Sequence, residues 1–362
     1  MRILHILASL RASGAEQMLR VAAPYWRAAG LDMDVLEVSL SPGHFGNELE
    51  AAGYTVLEFP AIRTAAHVRP LRDLIRAGGY DVVHIHPESA DVIPGLASRL
   101  AGVPAVFRTV HHIYLYEGLL RYRKRSERKL NRALGTRYLT NSRSGFLNER
   151  ERLGNPTQLI YNWYDDGHFR PPTPEQRSQA RSSLGLDADD VIFVSVGGCS
   201  WYKNHGLILR ALASVPGGRY VHAGPELNDE ERRLAASLGV GDRAHFLGVV
   251  PDTREVYHAA DVYVMPSDSE GFGIAAIEAM ACGIPTILSD RPSLWDLKGL
   301  VPGLWVPLDI EALALAMRRM AFTSREQRRV DGYRASQVVG GLFSVERGAD
   351  GYLNAYREAL GQ

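Results

Sequence analysis

Short apolar runs alternate with amphipathic stretches along the first half of the chain. The apolar runs have the length of buried strands, and the stretches between them repeat apolar residues at helical spacing. The first pair is the run Ile3 to Ala8, followed by a helical pattern from Ala15 to Ala29. Further strands are predicted at 32–38, 55–59, 82–86, 105–110 and 137–140, and further helices at 48–52, 71–76, 93–100 and 119–134. The alternation predicts βαβ units and a parallel sheet with helices on both faces.

A proline-rich segment between Asn162 and Pro174 interrupts this pattern. Strand and helix patterns restart at Val191, and the last residues repeat apolar positions at helical intervals. We therefore predict an N-terminal domain over 1–165, a second domain over 166–343 and a terminal helix over 344–362. Two doubly wound domains of this kind place a ligand cleft at the carboxyl ends of their strands.

The composition narrows the class of protein. A length of 362 residues suits about two domains, and 46% hydrophobic with 23% charged residues excludes a disordered or fibrous chain. Forty-one basic residues balance 41 acidic ones, so no overall field favours nucleic acid. Cys199 and Cys282 are the only cysteines, which favours a reducing, cytoplasmic location. No signal peptide or transmembrane helix is expected, because no apolar run approaches about 18 residues.

The most informative stretch, residues 265–286, places glycines and two glutamates at a turn from strand to helix. Gly271 and Gly273 follow a predicted strand, Glu270 precedes the helix, and Glu278 lies within it. Glycines let backbone N–H groups approach a ligand, and the start of a helix favours negative charge. From spacing alone, one carboxylate can bind a sugar and the other a ribose, or the two can be a helix cap and a solvated helix face.

This stretch, together with Gly283-Ile284-Pro285, resembles the glutamate, seven residues, glutamate motif of the retaining family 4 glycosyltransferases of GT-B architecture. The resemblance extends over most of the chain, through Ser13-Gly14-Ala15-Glu16, Thr109-Val110-His111, Lys203-Asn204-His205 and Phe246-Leu247-Gly248. It implies an α/β fold of two Rossmann-like domains facing each other across a cleft, with the terminal helix crossing back to the first domain. It also implies sugar transfer from a nucleoside diphosphate sugar, with UDP or GDP as the nucleotide, to an acceptor hydroxyl. No metal ion and no other cofactor is expected.

The resemblance assigns catalytic roles to three residues. Glu270 would lie beside the donor sugar, Lys203 would neutralise the departing diphosphate, and His111 would contact the sugar or the acceptor. Asn204 would cap the helix that follows it. The other predicted donor-binding residues are Gly14, Gly198, Val249, Phe272, Gly273, Ile274 and Glu278, and the predicted acceptor-binding residues are His112, Tyr114 and Asn141.

One position departs from the family's pattern in a way that affects the site. The family usually carries an arginine in the loop after the first strand of the second domain, and Gly198 stands there instead. Three explanations are open. Lys203 and a helix dipole suffice for the diphosphate, Arg108 or His205 reaches the phosphates, or the site is weak.

Two weaker signals concern metals and membranes. His84 and His86 alternate on one strand and could face the same side as metal ligands, but no Cys or Asp cluster partners them at a useful spacing. Residues from Leu119 to Leu134 form a basic helix in which Glu127 is the only acidic residue. Such a helix can lie on an anionic membrane, meet a phosphorylated acceptor, or be a solvated face.

The expected activity is that of a retaining hexosyl- or related glycosyltransferase in polysaccharide, glycolipid or natural-product glycoside synthesis. The alternatives are a catalytically weak nucleotide-sugar-binding protein, which Gly198 motivates, and a nucleotide-sugar epimerase of the same architecture. The expected location is the cytoplasm or the inner face of the membrane. The sequence identifies neither the base, the sugar nor the acceptor, and it leaves the oligomeric state open.

Overall fold

The computed structural model describes residues 1–11, 14–39, 43–88, 92–113, 115–225 and 229–362. The chain divides into two compact units. Unit 1 combines Met1–Trp163 with Val345–Gln362, and unit 2 is Tyr164–Ser344. The sequence places the corresponding boundaries at 165 and 343.

The elements are as follows in chain order. The strands are β1 (Arg2–Leu7), β2 (Asp32–Val38), β3 (Thr55–Phe59), β4 (Val82–Ile85), β5 (Ala105–Val110), β6 (Thr136–Thr140), β7 (Gln158–Leu159), β8 (Val191–Val196), β9 (Gly218–Ala223), β10 (Ala244–Phe246), β11 (Val262–Met265), β12 (Thr286–Ser289) and β13 (Leu304–Val306). The helices are α1 (Gly14–Ala28), α2 (Gly46–Ala52), α3 (Val68–Gly78), α4 (Ile93–Ala101), α5 (Gly118–Ala133), α6 (Arg143–Leu147), α7 (Pro174–Ser183), α8 (His205–Leu212), α9 (Asp229–Ser237), α10 (Arg254–Ala259), α11 (Ile274–Ala281), α12 (Trp295–Lys298), α13 (Ile310–Phe322), α14 (Arg325–Phe343) and α15 (Val345–Leu360). Short helical turns lie at Ala65–His67, Asn148–Arg152, Trp201–Lys203, Gly241–Arg243 and Pro292–Leu294.

Unit 1 is built on a parallel sheet of seven strands in the order β3-β2-β1-β4-β5-β6-β7. Every residue of β4 and β5 is buried, as expected for strands that helices cover on both faces. The register places His5 of β1 beside His84 of β4. The strand order reverses between β1 and β4, and such reversals mark the ligand-binding end of doubly wound sheets.

Unit 2 repeats this plan with six parallel strands in the order β10-β9-β8-β11-β12-β13. Its core packs Phe193 of β8 and Val264 of β11 against helix residues that include Leu209 and Met317. The strand order reverses between β8 and β11. The predicted α/β class with two doubly wound, Rossmann-like units is confirmed.

The terminal helix α15 packs within unit 1. The ring of Tyr352 lies edge-on to that of Trp163, with 5.2 Å between ring centroids, and the Trp26 indole donates to the Ala349 carbonyl at 3.1 Å. Gly348 permits this contact, because a Cβ there would lie 2.0 Å from the Trp163 ring. The helix therefore supplies side chains to the core of unit 1.

Helix α5 contains the predicted basic segment, but its cations do not form one solvated set. Arg128 is buried, and its guanidinium lies 2.8 Å from the Glu88 carboxylate and 3.2 Å from that of Glu149. Lys124 is also buried, 3.0 Å from Glu127. Glu88 and Glu149 lie outside α5 and are distant from it in sequence. The neutralisation of Arg128 therefore cannot be predicted from the residues of the helix.

Another part of α5 exposes apolar side chains. Leu119 is 88% exposed and Tyr122 is 64% exposed, and the exposed Arg125 and Lys129 lie on the same helix. Among the described residues, no helix combines the length and apolar character that spanning a membrane requires.

Candidate active site

In unit 2 the loops after β8 and β11 are adjacent, because these strands pair in parallel. Two hydrogen bonds join the loops. The Asp268 amide donates to the Tyr202 carbonyl at 2.7 Å, and the Asn204 side-chain amide donates to the Pro266 carbonyl at 2.9 Å. Side chains from the two loops are therefore held close together.

Lys203 and Glu270, two of the predicted catalytic residues, form an ion pair at this place. Nζ of Lys203 is 2.6 Å from Oε1 of Glu270, and their side chains are 20% and 10% exposed. The pair is accessible but largely shielded from water. An ammonium binds phosphate and a carboxylate accepts hydrogen bonds from hydroxyls, so the pair offers one partner for each group.

Glycines bring the backbone close to this ion pair. Gly197 has a φ of 135°, and a Cβ added to it would lie 3.8 Å from Nζ of Lys203. Gly224 packs on this turn so closely that a Cβ there would lie 1.9 Å from the Gly197 carbonyl oxygen. At Gly198, by contrast, an added Cβ would meet no atom of the described residues within 4 Å. The loop is open where the expected arginine is missing.

A second glycine turn begins helix α11. Gly273 has a φ of 83°, which favours glycine. The Phe272 ring is buried and lies edge-on to Phe343, with 5.3 Å between ring centroids. Because that ring packs in the core, a ligand can reach Phe272 only through its backbone, which continues through Gly273 and Ile274 into the start of the helix.

The cap predicted at Asn204 is wrong. Asn204 has a left-handed φ of 57° before α8, and its side chain accepts no hydrogen bond from the first turn of that helix. Its amide donates instead to the Tyr202 and Pro266 carbonyls. Asn204 therefore joins the two loops, because the Pro266 carbonyl lies within reach of its side-chain amide.

Glu278 lies on α11, and its carboxylate accepts a hydrogen bond from the Tyr257 hydroxyl at 3.0 Å. Burial raises the pKa of Glu278 to about 7; the charge of Asp165 adds to this rise, and the Tyr257 hydrogen bond opposes it. The carboxyl group therefore changes charge near neutral pH. Tyr257 is not among the residues predicted from the sequence, because nothing in its neighbourhood marks it as a partner of Glu278.

Beside the glycine loop, Cys199, His205 and His222 form what we call the thiol–imidazole cluster. Their potential donor atoms lie within 4.8 Å of one another, and Nε2 of His222 is 3.2 Å from Sγ of Cys199. Burial lowers the pKa of His205 to about 4, with the Gly198 backbone acting in the opposite direction, and lowers that of His222 to about 3. Burial raises the pKa of the Cys199 thiol to about 11. The rings and the thiol are therefore neutral near pH 7.

In unit 1, His111 directly follows β5 and ends a row of three residues that we call the histidine chain. Its Nε2 is 2.9 Å from Nδ1 of His86, whose Nε2 is 3.1 Å from Nδ1 of His5. Burial lowers the pKa of His5 and of His111 to about 3 and holds that of His86 well below its usual value. The bonds within the chain leave Nδ1 of His111 for a ligand.

The predicted acceptor-binding residues lie around His111 or after it. Asn141 is buried, and its side-chain amide donates to the His111 carbonyl at 3.2 Å. It holds the backbone of His111, and its acceptor role stays a prediction. His112 is exposed, and Tyr114 lies outside the described residues.

Two predicted donor-binding residues lie at the surface of their own units. Gly14 is exposed and begins α1 in unit 1, and Val249 is 77% exposed after β10 in unit 2. Their roles also stay predictions.

Two family models match the chain. The model described as Glycosyl transferases group 1 matches residues 176–334, and the model described as Glycosyltransferase Family 4 matches residues 12–167. The chain belongs to the family 4 glycosyltransferases.

Curated relatives and solved structures agree with this assignment. The D-inositol 3-phosphate glycosyltransferase of Saccharomonospora viridis is 29% identical over 377 residues, which cover 89% of this chain and 81% of the relative. The enzyme of the same name from Mycobacterium marinum is 28% identical over 305 residues, which cover 78% of this chain and 65% of that relative. Anabaena HepE, solved in complex with UDP and glucose, superposes with a TM-score of 0.82 at 21% identity, covering 99% of this chain and 100% of HepE. At that identity the likeness establishes the shared GT-B fold.

In this family 4 glycosyltransferase, the alternating histidines of β4 have a structural explanation. His84 and His86 do face the same side, and their rings stack with 4.4 Å between centroids. Both nitrogens of His84 are already used, however: Nδ1 is 2.5 Å from the Tyr356 hydroxyl, and Nε2 is 2.7 Å from Oγ1 of Thr109. These hydrogen bonds give both histidines a structural role, although ring nitrogens of His5, His84 and His86 also lie within 4.8 Å of one another.

Neither side chain suggested as a substitute for the missing arginine is a free cation. Arg108 is buried in unit 1, where it donates to the Pro87 carbonyl at 2.6 Å and lies 3.6 Å from Glu88. His205 is neutral near pH 7, and its Nδ1 is 3.0 Å from the Tyr220 hydroxyl. In this family 4 glycosyltransferase, Lys203 is therefore the cation that the loop itself brings to the site.

Proposed function

We propose that this family 4 glycosyltransferase moves a sugar from a nucleoside diphosphate sugar to an acceptor hydroxyl, with retention at the anomeric carbon and no metal in the transfer step. The observation that carries the proposal is the ion pair of Lys203 and Glu270 between two glycine turns at the carboxyl ends of β8 and β11. A nucleoside diphosphate sugar carries both matching groups, an anionic diphosphate and a neutral polyol. The UDP and glucose bound to HepE support UDP as the first nucleotide to test and GDP as the second.

In this mechanism the diphosphate replaces Glu270 as the partner of Lys203. The ammonium neutralises the charge that grows on the leaving phosphate as its bond to the anomeric carbon breaks. Glu270 then accepts hydrogen bonds from the sugar hydroxyls, and backbone amides of the Gly273 turn donate to the same sugar. The acceptor oxygen attacks from the face that the phosphate leaves, and a phosphate oxygen takes the acceptor proton.

Glu278 is the proposed partner of the donor ribose. An ionised carboxylate accepts hydrogen bonds from hydroxyls more strongly than a neutral carboxyl group does. Because the pKa of Glu278 is about 7, we expect donor affinity to increase as the pH is raised through neutrality and to level off at higher pH. Calorimetric titration with UDP should show this dependence in the native protein and lose it in Glu278→Gln.

His111, His112, Tyr114 and Asn141 are the proposed contacts for the acceptor side of the reaction. The proposed acceptor is a polysaccharide, a glycolipid or a natural product that is converted to a glycoside. The names of the two D-inositol 3-phosphate glycosyltransferases add a phosphorylated polyol to the acceptors worth testing.

The exposed part of α5 is proposed as a peripheral contact with an anionic membrane at the cytoplasmic face. Leu119 and Tyr122 supply apolar surface, and Arg125 and Lys129 supply positive charge for lipid headgroups. Co-sedimentation should increase with phosphatidylglycerol vesicles but not with phosphatidylcholine vesicles. The double variant Leu119→Ser, Tyr122→Ser should lose this binding, and Leu315→Ser, exposed on α13, should keep it.

The deciding experiment measures donor binding and sugar transfer in matched variants. Lys203→Ala and Glu270→Gln should each lower kcat by roughly 100-fold or more, the effect of removing a group that stabilises transition-state charge. Lys298→Ala is the control, because it breaks an ion pair of similar length, 2.7 Å, at an exposed site. Equal activity in Lys203→Ala and Lys298→Ala would refute the proposed site.

Two other results would replace the proposed reaction. UDP or GDP binding without transfer to any acceptor would indicate a nucleotide-sugar-binding protein, which remains the alternative raised by Gly198. Release of an epimerised nucleotide sugar with no acceptor present would indicate an epimerase. Where transfer occurs, NMR of the first product formed distinguishes retention from inversion.

A further inference from the structure

The thiol–imidazole cluster has the donor atoms and the surroundings of a metal site. We propose that Cys199, His205 and His222 bind one Zn²⁺ ion in unit 2, separate from the transfer step. One thiolate and two imidazoles are ligands that zinc prefers, and three protein ligands leave a fourth position for water. The three potential donor atoms already lie within 4.8 Å of one another.

The other nitrogen of each imidazole is held by a hydroxyl group. Nδ1 of His222 is 2.9 Å from Oγ of Ser195, and Nδ1 of His205 is 3.0 Å from the Tyr220 hydroxyl. The two hydroxyls bond each other at 2.5 Å. Metal-bound histidines almost always hydrogen-bond through the nitrogen that does not bind the metal, and this bond fixes the ring's orientation. Ser195 and Tyr220 therefore direct both Nε2 atoms away from themselves.

Nε2 of His205 is the second independent sign of a ligand. It is buried and makes no hydrogen bond of good geometry with a described residue, and its one polar influence from the backbone is Gly198, which raises the pKa of the ring. A thiol carries one proton, so Cys199 can satisfy one imidazole at most, and its near neighbour is Nε2 of His222 at 3.2 Å. Buried polar atoms without partners are rare, and a bound ion would engage all three groups together.

Binding requires one proton to leave. The thiol of Cys199 loses its proton to solvent as the S–Zn bond forms, while both imidazoles bind in their existing neutral form. Because metal binding releases this proton, affinity should increase with pH. Cys199 is partly exposed and the neighbouring Gly198 borders open space, which gives the ion and a water ligand a route in.

An ion at this position would join three elements. Cys199 lies in the loop after β8, His222 lies on β9, and His205 is the first residue of α8. The loop between Cys199 and His205 contains Lys203. The ion would therefore restrain both ends of the segment that presents this lysine.

The test uses the full chain freed of metal with a chelator, without any nucleotide, so its outcome does not depend on the proposed transfer reaction. Co²⁺ replaces Zn²⁺ as a spectroscopic probe, because a cobalt–thiolate bond produces a strong charge-transfer absorption. We expect this absorption to saturate at one Co²⁺ per chain and to vanish on addition of one equivalent of Zn²⁺. Competition with a chromogenic chelator then measures the Zn²⁺ affinity.

The variants assign the ligands. Cys199→Ala should lose the cobalt–thiolate absorption and weaken Zn²⁺ binding at least 100-fold, whereas Cys282→Ala should retain both, because Cys282 is the other cysteine and is buried. His205→Asn tests the imidazole with the unpaired nitrogen, and should weaken binding while its thermal unfolding shows a folded protein. Absence of the absorption in the native chain, or its persistence in Cys199→Ala, would overturn the proposal.

Discussion

The two histidine clusters of this protein differ in what the imidazoles bond to. In the histidine chain of unit 1, His86 bonds His5 and His111, so ring nitrogens are paired with ring nitrogens. In the thiol–imidazole cluster of unit 2, His205 and His222 use Nδ1 on hydroxyls and turn Nε2 elsewhere. Both clusters are buried, and burial lowers the histidine pKa values in both. The two clusters therefore differ in the partner of each ring nitrogen, whereas burial and lowered pKa values are common to both.

The pairing in unit 1 has a consequence for His111. A neutral imidazole has one donor and one acceptor nitrogen, so all bonds in the row must run in one direction. In one direction His5 would bury an N–H at Nε2 without an acceptor; in the other it buries only a lone pair there. Unpaired buried N–H groups are the rarer case. We therefore expect Nδ1–H of His5 to donate to His86, and that of His86 to donate to His111, which leaves the remaining proton of His111 on Nδ1.

The largest expected effect is a loss of folding stability at acid pH. It tests the buried, neutral histidines that both clusters contain. An unfolded histidine titrates near 6.5, whereas burial lowers the pKa of His5, His111 and His222 to about 3 and that of His205 to about 4. Below about pH 6.5 the unfolded state binds more protons, so stability is lost as pH falls towards these values. Each group contributes up to about 1.4 kcal/mol per pH unit. Glu278 acts in the opposite direction, because its raised pKa stabilises the folded state by about 2 kcal/mol as pH falls from about 7.5 to about 5.5. Urea unfolding between pH 7.5 and 5.5 should still show a net loss of a few kcal/mol, and a flat profile would mean that these rings titrate normally when folded.

The second effect is a loss of stability on replacement of His84, a structural histidine that lies beside the histidine chain. His84→Leu removes the imidazole that bonds the Tyr356 and Thr109 hydroxyls in the core of unit 1. We expect a loss of about 3 kcal/mol, which is roughly 6–12 °C in the Tm of unit 1 if that unit unfolds as one domain. His245→Leu, at the partly exposed edge strand β10, is the matched control. Calorimetry in which the two variants melt alike would contradict the structural role of His84.

A smaller effect is expected when the histidine chain is interrupted at its middle residue. His86→Leu removes the partner that fixes His111, and we expect kcat to fall roughly 10-fold, about 1.4 kcal/mol, with unchanged UDP affinity. His86 is a positioning residue, so the informative readout is ¹⁵N NMR of the His111 ring. The proton of His111 should lie on Nδ1 in the native protein and exchange between both nitrogens in the variant. If the His111 ring spectrum is the same in the variant as in the native protein, the histidine chain does not fix the proton of His111.

The smallest effect concerns the hydroxyl that holds His222. Ser195→Ala should destabilise the protein by about 1 kcal/mol and weaken Zn²⁺ binding roughly 10-fold, because the ring is then free to turn. Chelator competition and thermal unfolding measure the two quantities on the same sample. Native Zn²⁺ affinity in this variant would show that Ser195 does not orient His222.

The sequence predicted the parallel α/β plan because buried strands and amphipathic helices leave a periodic signal in neighbouring residues. The strand predicted at 32–38 is β2, and the one at 105–110 is β5. Contacts between side chains that are distant in sequence leave no such periodic signal. His84 and His86 were visible as an alternating pair, but Tyr356 and His5 reach them from α15 and β1.

The candidate site shows the same division between local pattern and distant contact. The motif resemblance named Lys203 and Glu270, and sheet order explains why the loops after β8 and β11 bring them together. Asn204 was expected to cap α8 because its residue type favours that position. It bonds Pro266 instead, which only the adjacent loop provides.

The open space at Gly198 also makes this position a useful one for engineering. Its φ is not in the left-handed region, and a Cβ there would meet no atom of the described residues within 4 Å. An arginine can therefore be introduced without backbone strain, although the preceding residue, Gly197, is packed so closely by Gly224 that Gly224 tolerates no side chain. Gly198→Arg would supply a second cation near Lys203 and turn a natural departure from the family into an adjustable element of donor affinity.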